Sequence, residues 1–252
     1  MSKAIALLRL RKLLHSVLHR KCWRAFGLGV FPSVEHRVVL ENCDFDLLID
    51  VGANSGQFAL MVRSGNSSVP IVSFEPIASE AKKFQDVFRG DSMTELRVFA
   101  LGEKTETRTI HISRRADSSS LLPIGDLQIE IFPSTEEVGT EEVSVVTLND
   151  LEEIWGGSSR AFLKIDVQGF ELSVLRGGNR ALKNCAFVYV ECSEVALYDG
   201  QALSGEVSEY LRDAGFHLVQ RCNETVVNGG LVQADYLYSR ADNGGEKLAR
   251  GS

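Results

Sequence analysis

Apolar residues along the 252-residue chain fall into two rhythms. Short, mainly apolar runs, Leu47–Ile49, Ile71–Phe74, Leu96–Ala100, Ala161–Leu163 with Ile165, and Ala186–Val190, read as strands of a buried sheet. Between them the apolar positions recur at helical spacing. Phe58, Ala59, Met61 and Val62 mark one helix, ending near Ser64-Gly65-Asn66. Ala78, Ala81, Phe84, Val87 and Phe88 mark a second, and Leu172, Val174 and Leu175 a third. Glu206–Ala214 continues the series and is stopped by Gly215. Strand and helix in alternation predict a parallel sheet with helices on both faces. Phe216–Gln220 and Leu231–Tyr238 then read as an antiparallel hairpin closing the sheet. Residues 103–147 interrupt the alternation with two strands, Thr107–Ile112 and Val143–Val146, around a polar loop at 114–120. A long excursion at a ligand edge is a usual place for a lid or acceptor loop, so Arg114, Arg115, Ser119 and Ser120 are candidate acceptor contacts. Thr147 is expected to cap a short helix over Leu148–Leu151, with Asp150 at its third position.

Residues 3–26 carry a different pattern. Leu7, Leu8, Leu10, Leu13, Leu14, Val17 and Leu18 recur at helical spacing with basic residues between them. The favoured expectation is a helix whose leucines pack on the domain while its charges face water. The alternative is an in-plane membrane or partner-docking helix. No apolar run nears the roughly 18 residues of a membrane span, and charges interrupt the stretch too often for a signal peptide. His15 and His19, four apart, read as part of a polar face. The division expected is therefore an N-terminal helix and linker over 1–40, one domain over 41–240 with the 103–147 insertion, and a polar, glycine-rich tail over 241–252.

Charge sharpens this picture. Net charge is −7, yet residues 1–34 hold seven basic residues and no acid, so the rest of the chain carries −14. An acidic body argues against a nucleic-acid backbone as partner. Five cysteines, odd in number and without C-x-x-C spacing, suggest neither a disulfide framework nor a zinc site. A reducing, cytoplasmic location is expected, with membrane association through residues 3–26 as the open addition.

Three strand tips carry the chemistry. Asp50 ends the first strand and opens Asp50-Val51-Gly52-Ala53-Asn54-Ser55-Gly56. Strand, glycine turn and helix place a ligand over the carboxyl edge of a sheet. The spacing is G-x-N-x-G and not G-x-G-x-x-G, so a dinucleotide pyrophosphate is not the natural ligand; an acid there suits an ammonium or sulfonium group. Glu75, followed by Pro76, ends the second strand 19 residues beyond Gly56, where an acid can accept both hydroxyls of a ribose. The third tip is Lys164-Ile165-Asp166-Val167-Gln168-Gly169-Phe170-Glu171. A lysine inside a buried strand needs a partner, which Asp166, Glu171 or a ligand could be.

These motifs, with Ala100-Leu101-Gly102 after the third strand, Thr147–Leu151 and Val174-Leu175-Arg176-Gly177, resemble the FkbM-type family of class I S-adenosylmethionine-dependent methyltransferases. The resemblance runs from about residue 45 to 238 and leaves 1–40 outside. It implies a Rossmann-like, three-layer α/β fold with a seven-stranded, mostly parallel sheet whose last strand is antiparallel. It implies S-adenosylmethionine as cofactor and O-methylation of a small-molecule or glycan acceptor, with no nucleic acid. By position, Asp50, Gly52, Asn54 and Gly56 would line the methionine part of the donor, with Ala53, Gln57 and Pro76 also on the cofactor side. Glu75 would hold the ribose, and Ala100 and Leu101 the adenine. Asp166 would stand beside the transferred methyl as base or as the group orienting the acceptor. Lys164 would tune its charge or bind an acceptor oxygen, with Glu171 and Glu191 as second choices, either as polar contacts or as ligands of an unrecognised divalent ion. Gln168 stands where many members have glutamate and is not assigned as a base; no metal ligand is assigned. A methyltransferase of RNA or protein, a nucleotide-binding oxidoreductase and a non-catalytic module are the competing readings.

Overall fold

The computed structural model describes residues 3–65 and 68–240; the tail over 241–252 and the expected helix end at Asn66 lie outside them. Ten strands follow one another: β1 (Leu47–Val51), β2 (Ile71–Phe74), β3 (Thr94–Arg97), β4 (Ala100–Leu101), β5 (Glu106–Ser113), β6 (Glu137–Val146), β7 (Ala161–Ile165), β8 (Cys185–Ser193), β9 (Phe216–Val227) and β10 (Gly230–Arg240). Among the described residues the α-helices are α1 (Lys3–Leu18), α2 (Trp23–Gly27), α3 (Arg37–Glu41), α4 (Gln57–Gly65), α5 (Ala78–Val87), α6 (Asp126–Ile131), α7 (Glu171–Gly177) and α8 (Ser204–Asp213).

Seven strands form one sheet in the order β3-β2-β1-β7-β8-β10-β9. All neighbours are parallel except where β10 runs antiparallel between β8 and β9. The terminal hairpin thus closes the sheet as expected, with its second arm inserted inside its first. Alternation along the strands splits the core into two layers. Leu47, Ile49, Val51 and Leu163 join Leu172, Val174, Val207 and Leu211 on one face. Leu48, Phe162 and Tyr189 join Phe58, Phe84 and Val87 on the other. Helices α7 and α8 therefore cover one side and α4 and α5 the opposite, the three-layer α/β architecture.

Three local expectations give way. The run Leu96–Ala100 divides: β3 ends at Arg97, and β4 leaves the main sheet to pair with β6 in a second sheet of order β4-β6-β5. Phe99, between them, packs on Phe74 instead of continuing the ladder. Thr147 does not cap the backbone of the 3-10 turn Leu148–Asp150; its Oγ1 donates to the Asp150 carboxylate at 2.7 Å. The N-terminal helix ends at Leu18, and all its leucines but the half-buried Leu8 face away from the domain. Leu7, Leu10, Leu13 and Leu14 are exposed, whereas Ser16 is buried, Lys12 pairs with Glu35 at 2.8 Å and His15 Nε2 lies 2.8 Å from Ser64 Oγ. Helical periodicity identifies two faces, but two polar contacts, Lys12 to Glu35 and His15 to Ser64, decide which of them meets the domain.

The tips of β1 and β7 converge at Gly52. Asp166 N–H donates to Val51 O at 3.1 Å, and Gly52 adopts φ +73°. A Cβ at Gly52 would lie 1.9 Å from the Asp166 carbonyl oxygen, a backbone atom with nowhere to retreat. Gly52→Ala is expected to destabilise the fold by more than about 2 kcal/mol through clash and left-handed strain together. Urea unfolding checks this; a variant with unchanged midpoint would show that the two tips are free to separate.

Candidate active site

Parallel pairing places Lys164 directly opposite Asp50. The Lys164 ammonium lies 3.2 Å from Asp50 Oδ1, donates to Gly52 O at 2.9 Å and Val51 O at 3.4 Å, and lies 3.7 Å from Asp166 Oδ2. Burial disfavours the charge, but Asp50 and Asp166 outweigh it and hold the lysine pKa above its ordinary value. Burial pushes the Asp50 pKa up, against the pull of that same lysine, and one side chain ties together both strand tips. Asp50 is fully buried behind that ammonium and lines neither neighbouring cavity. Its expected place against the amino-acid end of the donor is corrected: the carboxylate is spent on a buried cation that would otherwise be unpartnered.

The glycine turn keeps its own N–H groups. Gly52 and Ala53 both donate to Phe74 O at 3.0 Å, Asn54 N donates to Glu75 Oε2 at 2.8 Å, and Ser55 N donates to Asn54 Oδ1 at 2.7 Å. A turn with its donors so occupied is a poor phosphate cradle, which argues against the dinucleotide reading from geometry rather than spacing. Glu75 is buried; its other oxygen accepts Ile77 N at 2.8 Å. Burial pushes its pKa up to about 7, against the two backbone N–H bonds.

Beyond β7 the chain turns through Gln168 at φ 54°. The Gln168 amide Nε2 lies 2.8 Å from both Asp166 Oδ1 and Glu191 Oε2, and its Oε1 accepts from the Tyr198 hydroxyl at 2.8 Å. Gln233 Nε2 holds the other Glu191 oxygen at 2.8 Å. Burial, then the nearby Asp166, raises the Glu191 pKa well above the usual carboxylate range. Glu171 is buried and turned away: its Oε1 accepts Gly169 N at 2.8 Å and Val167 N at 3.4 Å, and it lines neither cavity. Its place is to fix the β7–α7 turn. The insertion loop folds onto the same turn. Ser120 Oγ donates to Gln168 O at 2.6 Å, and Ser119 Oγ accepts Ser113 N at 3.0 Å; both serines line the smaller cavity. Arg114 and Arg115 pair with Glu136 and Asp117.

Two cavities meet here. The smaller, about 80 Å³, is largely apolar, with Phe74, Ile77, Ala100, Leu101, Ile110 and Leu121 around Glu75, and Pro76 at its edge. The larger, about 340 Å³, is strongly polar. Gly52, Asn54, Asp166 and Gln168 line both; Ala53, Gln57 and Lys164 line only the larger, and Gly56 neither, since it packs under Phe84 and Phe88. Sequence reasoning missed the far wall of the larger cavity. His36 Nδ1 lies 2.9 Å from the Tyr189 hydroxyl and 3.4 Å from Asp235 Oδ2, which also accepts from Tyr189 OH at 2.8 Å and Asn223 Nδ2 at 2.7 Å. Burial holds the His36 pKa below its ordinary value, against the pull of Asp235. Almost 200 residues separate His36 from Asp235, and nothing in either local sequence announces the pairing. Among the described residues, no three His, Cys, Asp or Glu side chains come together as a metal site.

A family model for the methyltransferase FkbM domain matches residues 50–218, and the chain belongs to that family. A hexuronic acid methyltransferase, AglP of Haloferax volcanii, is 29% identical over 216 residues, covering 80% of this chain and 82% of the relative. A putative tRNA (m1A22) methyltransferase of Streptococcus pneumoniae, solved with S-adenosyl-L-methionine, is similar with TM-score 0.49 at 11% identity over 86% of this chain and 78% of that one. The magnesium protoporphyrin IX methyltransferase of Synechocystis PCC 6803, solved with its methyl donor, gives 0.44 at 11% identity over 83% and 77%. The protein is an S-adenosylmethionine-dependent methyltransferase. Its cleft fits that donor: an apolar slot bounded by Ala100 and Leu101 suits an adenine, a buried acid inside it suits ribose hydroxyls, and the acids beside the junction suit a cation.

Two outcomes follow from this geometry. Asp50→Ala leaves the Lys164 ammonium buried without its main partner and is expected to cost about 3–5 kcal/mol, while Asp50→Asn costs less because the amide oxygen still accepts. Chemical denaturation of the two variants checks the order; equal small losses would place Asp50 outside the structural core of the site. For Glu75 the raised pKa stabilises the unliganded fold below about pH 4.5, and that contribution is lost as pH rises through about 7. Ribose hydroxyls favour the ionised carboxylate, so affinity for S-adenosylhomocysteine should rise several-fold between about pH 6 and 8, and Glu75→Gln should flatten that slope in calorimetry.

Proposed function

We propose that this methyltransferase transfers its methyl to a hydroxyl of a sugar or glycan. The observation that carries the reading is the polar cavity adjoining the donor cleft. Glu35, His36, Gln128, Asn223, Gln233 and Asp235 supply hydrogen-bonding groups around it, with Phe58 and Phe132 among its few apolar walls. Drug-like ligands and aromatic rings are held mostly by apolar walls; a cavity of alternating donors and acceptors suits a polyhydroxylated acceptor. The hexuronic acid methyltransferase relative supports the same class.

Bound S-adenosylmethionine brings a methyl already activated on sulfonium. The chain must then align an acceptor oxygen with that methyl, at about 3–3.5 Å, and take up the hydroxyl proton. Asp166 is the residue proposed for the proton. It lines both cavities, so it sits where an acceptor oxygen must approach the donor, and its side chain is partly open. Gln168 fixes one of its oxygens, leaving the other toward the Lys164 ammonium. Lys164 positions Asp166 and supplies a positive charge beside the acceptor; its burial makes direct acceptor binding secondary. His36 is the second candidate for the proton: burial keeps its imidazole neutral, and Asp235 stands ready to support the charged form.

Labelled donor offered to a panel of nucleotide and lipid-linked sugars, with mass spectrometry of the product, tests the substrate class. Absence of transfer to every saccharide, with transfer to a phenol or a macromolecule, would remove it. With an acceptor in hand, Asp166→Asn should lower kcat by about 10²–10⁴-fold while S-adenosylhomocysteine still binds. Full turnover in that variant, with loss in His36→Gln, would move the proton acceptor to His36.

A further inference from the structure

The N-terminal helix presents its apolar side to solvent. Leu13, Val17, Leu10, Leu14, Leu7 and Leu18 follow one another around an arc of about 140° at 3.6 residues per turn, and all six are 40–77% exposed. Directly after the helix, Trp23, Phe26 and Leu28 are exposed as well. The opposite side is the one docked, through Lys12, His15 and Ser16. A helix attached by its polar side is inverted relative to an ordinary surface helix, which buries its apolar stripe.

Charge says what covers that stripe. Arg9 lies just beyond its Leu13 border and Arg11 just beyond its Leu18 border. Arg20 follows beside the exposed Trp23, while Lys21 and Arg24 turn back to the Arg63 and Arg89 carbonyls and fasten the segment to the domain. No acid occurs in residues 1–34, whereas the remaining chain carries −14. Leucines bordered by arginines, with a tryptophan at one end, are the chemistry of a helix lying in the headgroup region of a bilayer. The acidic body is repelled by the same surface, so only one orientation is favourable. A second copy fits less well, because apposed stripes would also appose their basic borders.

We propose that α1 and the segment through Leu28 form a docking surface for an anionic lipid bilayer. The helix lies in the membrane plane with its leucines in the headgroup–acyl boundary. Its inner side, where Lys12 lines the larger cavity, then stands about one helix diameter, ~10 Å, from the lipid.

Sedimentation of the full chain with vesicles tests this. Binding to phosphatidylcholine vesicles containing phosphatidylglycerol at about 30 mol % should exceed binding to phosphatidylcholine alone by on the order of tenfold, weaken with salt, and shift Trp23 emission to the blue. The exposed double variant Leu10→Glu/Leu14→Glu should lose that binding while keeping the thermal midpoint and the affinity for S-adenosylhomocysteine. Arg11→Glu/Arg20→Glu should lose the preference for anionic vesicles. Equal binding to both vesicle types, no binding to either, or retained binding in the leucine variant would overturn the proposal. So would a concentration-dependent dimer, seen by analytical ultracentrifugation, that the leucine variant abolishes.

Discussion

A buried ammonium between two strand tips is the constraint on which the site depends. Lys164 reaches from β7 to Asp50 on β1, to two carbonyl oxygens of the glycine turn, and toward Asp166. Neither member of the pair could be buried alone without a penalty of several kcal/mol. Their register is therefore fixed as tightly as a core packing contact. Gly52 then brings the two backbones to a separation no side chain would allow. Everything that faces the cleft, from Asn54 on one tip to Asp166 and Gln168 on the other, takes its position from that junction.

The sheet was legible because parallel strands buried on both faces leave unbroken apolar runs, and because their carboxyl ends carry acids. Asp50, Glu75 and Asp166 could be found this way, as could the cleft they surround. The role of Asp50 could not. An acid at a strand tip reads the same whether it meets a ligand or a lysine on the next strand, and only the register Asp50↔Lys164 separates the two. Glu171 is ambiguous in sequence for a related reason: an acid after a glycine turn can face the cleft or turn back onto the turn's own N–H groups, as it does here. The serines of the insertion look free in sequence, yet close the loop on itself and on Gln168.

The wall formed by His36, Tyr189, Asn223 and Asp235 was illegible for a topological reason. β10 inserts between β8 and β9, which brings Asp235 opposite Glu191 on one side and Cys222 on the other. A segment preceding the first strand then reaches across the sheet to meet them. Aromatic packing holds that reach in place: His36 meets Phe58 at a tilt and Tyr189 edge to face, at centroid separations of 5.3 and 5.6 Å. Such a contact depends on the order of strands in space, which local patterning does not encode.

That reach divides the molecule along the chain. The smaller cavity, proposed for the donor, is built from residues between Val51 and Gln168, inside the stretch matched by the family. The cavity proposed for the acceptor is completed by Lys12, Ser33, Glu35 and His36 from before that stretch and by Asn223, Gln233 and Asp235 from after it. The larger cavity thus draws on both flanks as well as on the centre, whereas the smaller one is built from the centre alone. A chain cut to the matched stretch would keep every wall of the smaller cavity and lose part of the larger one.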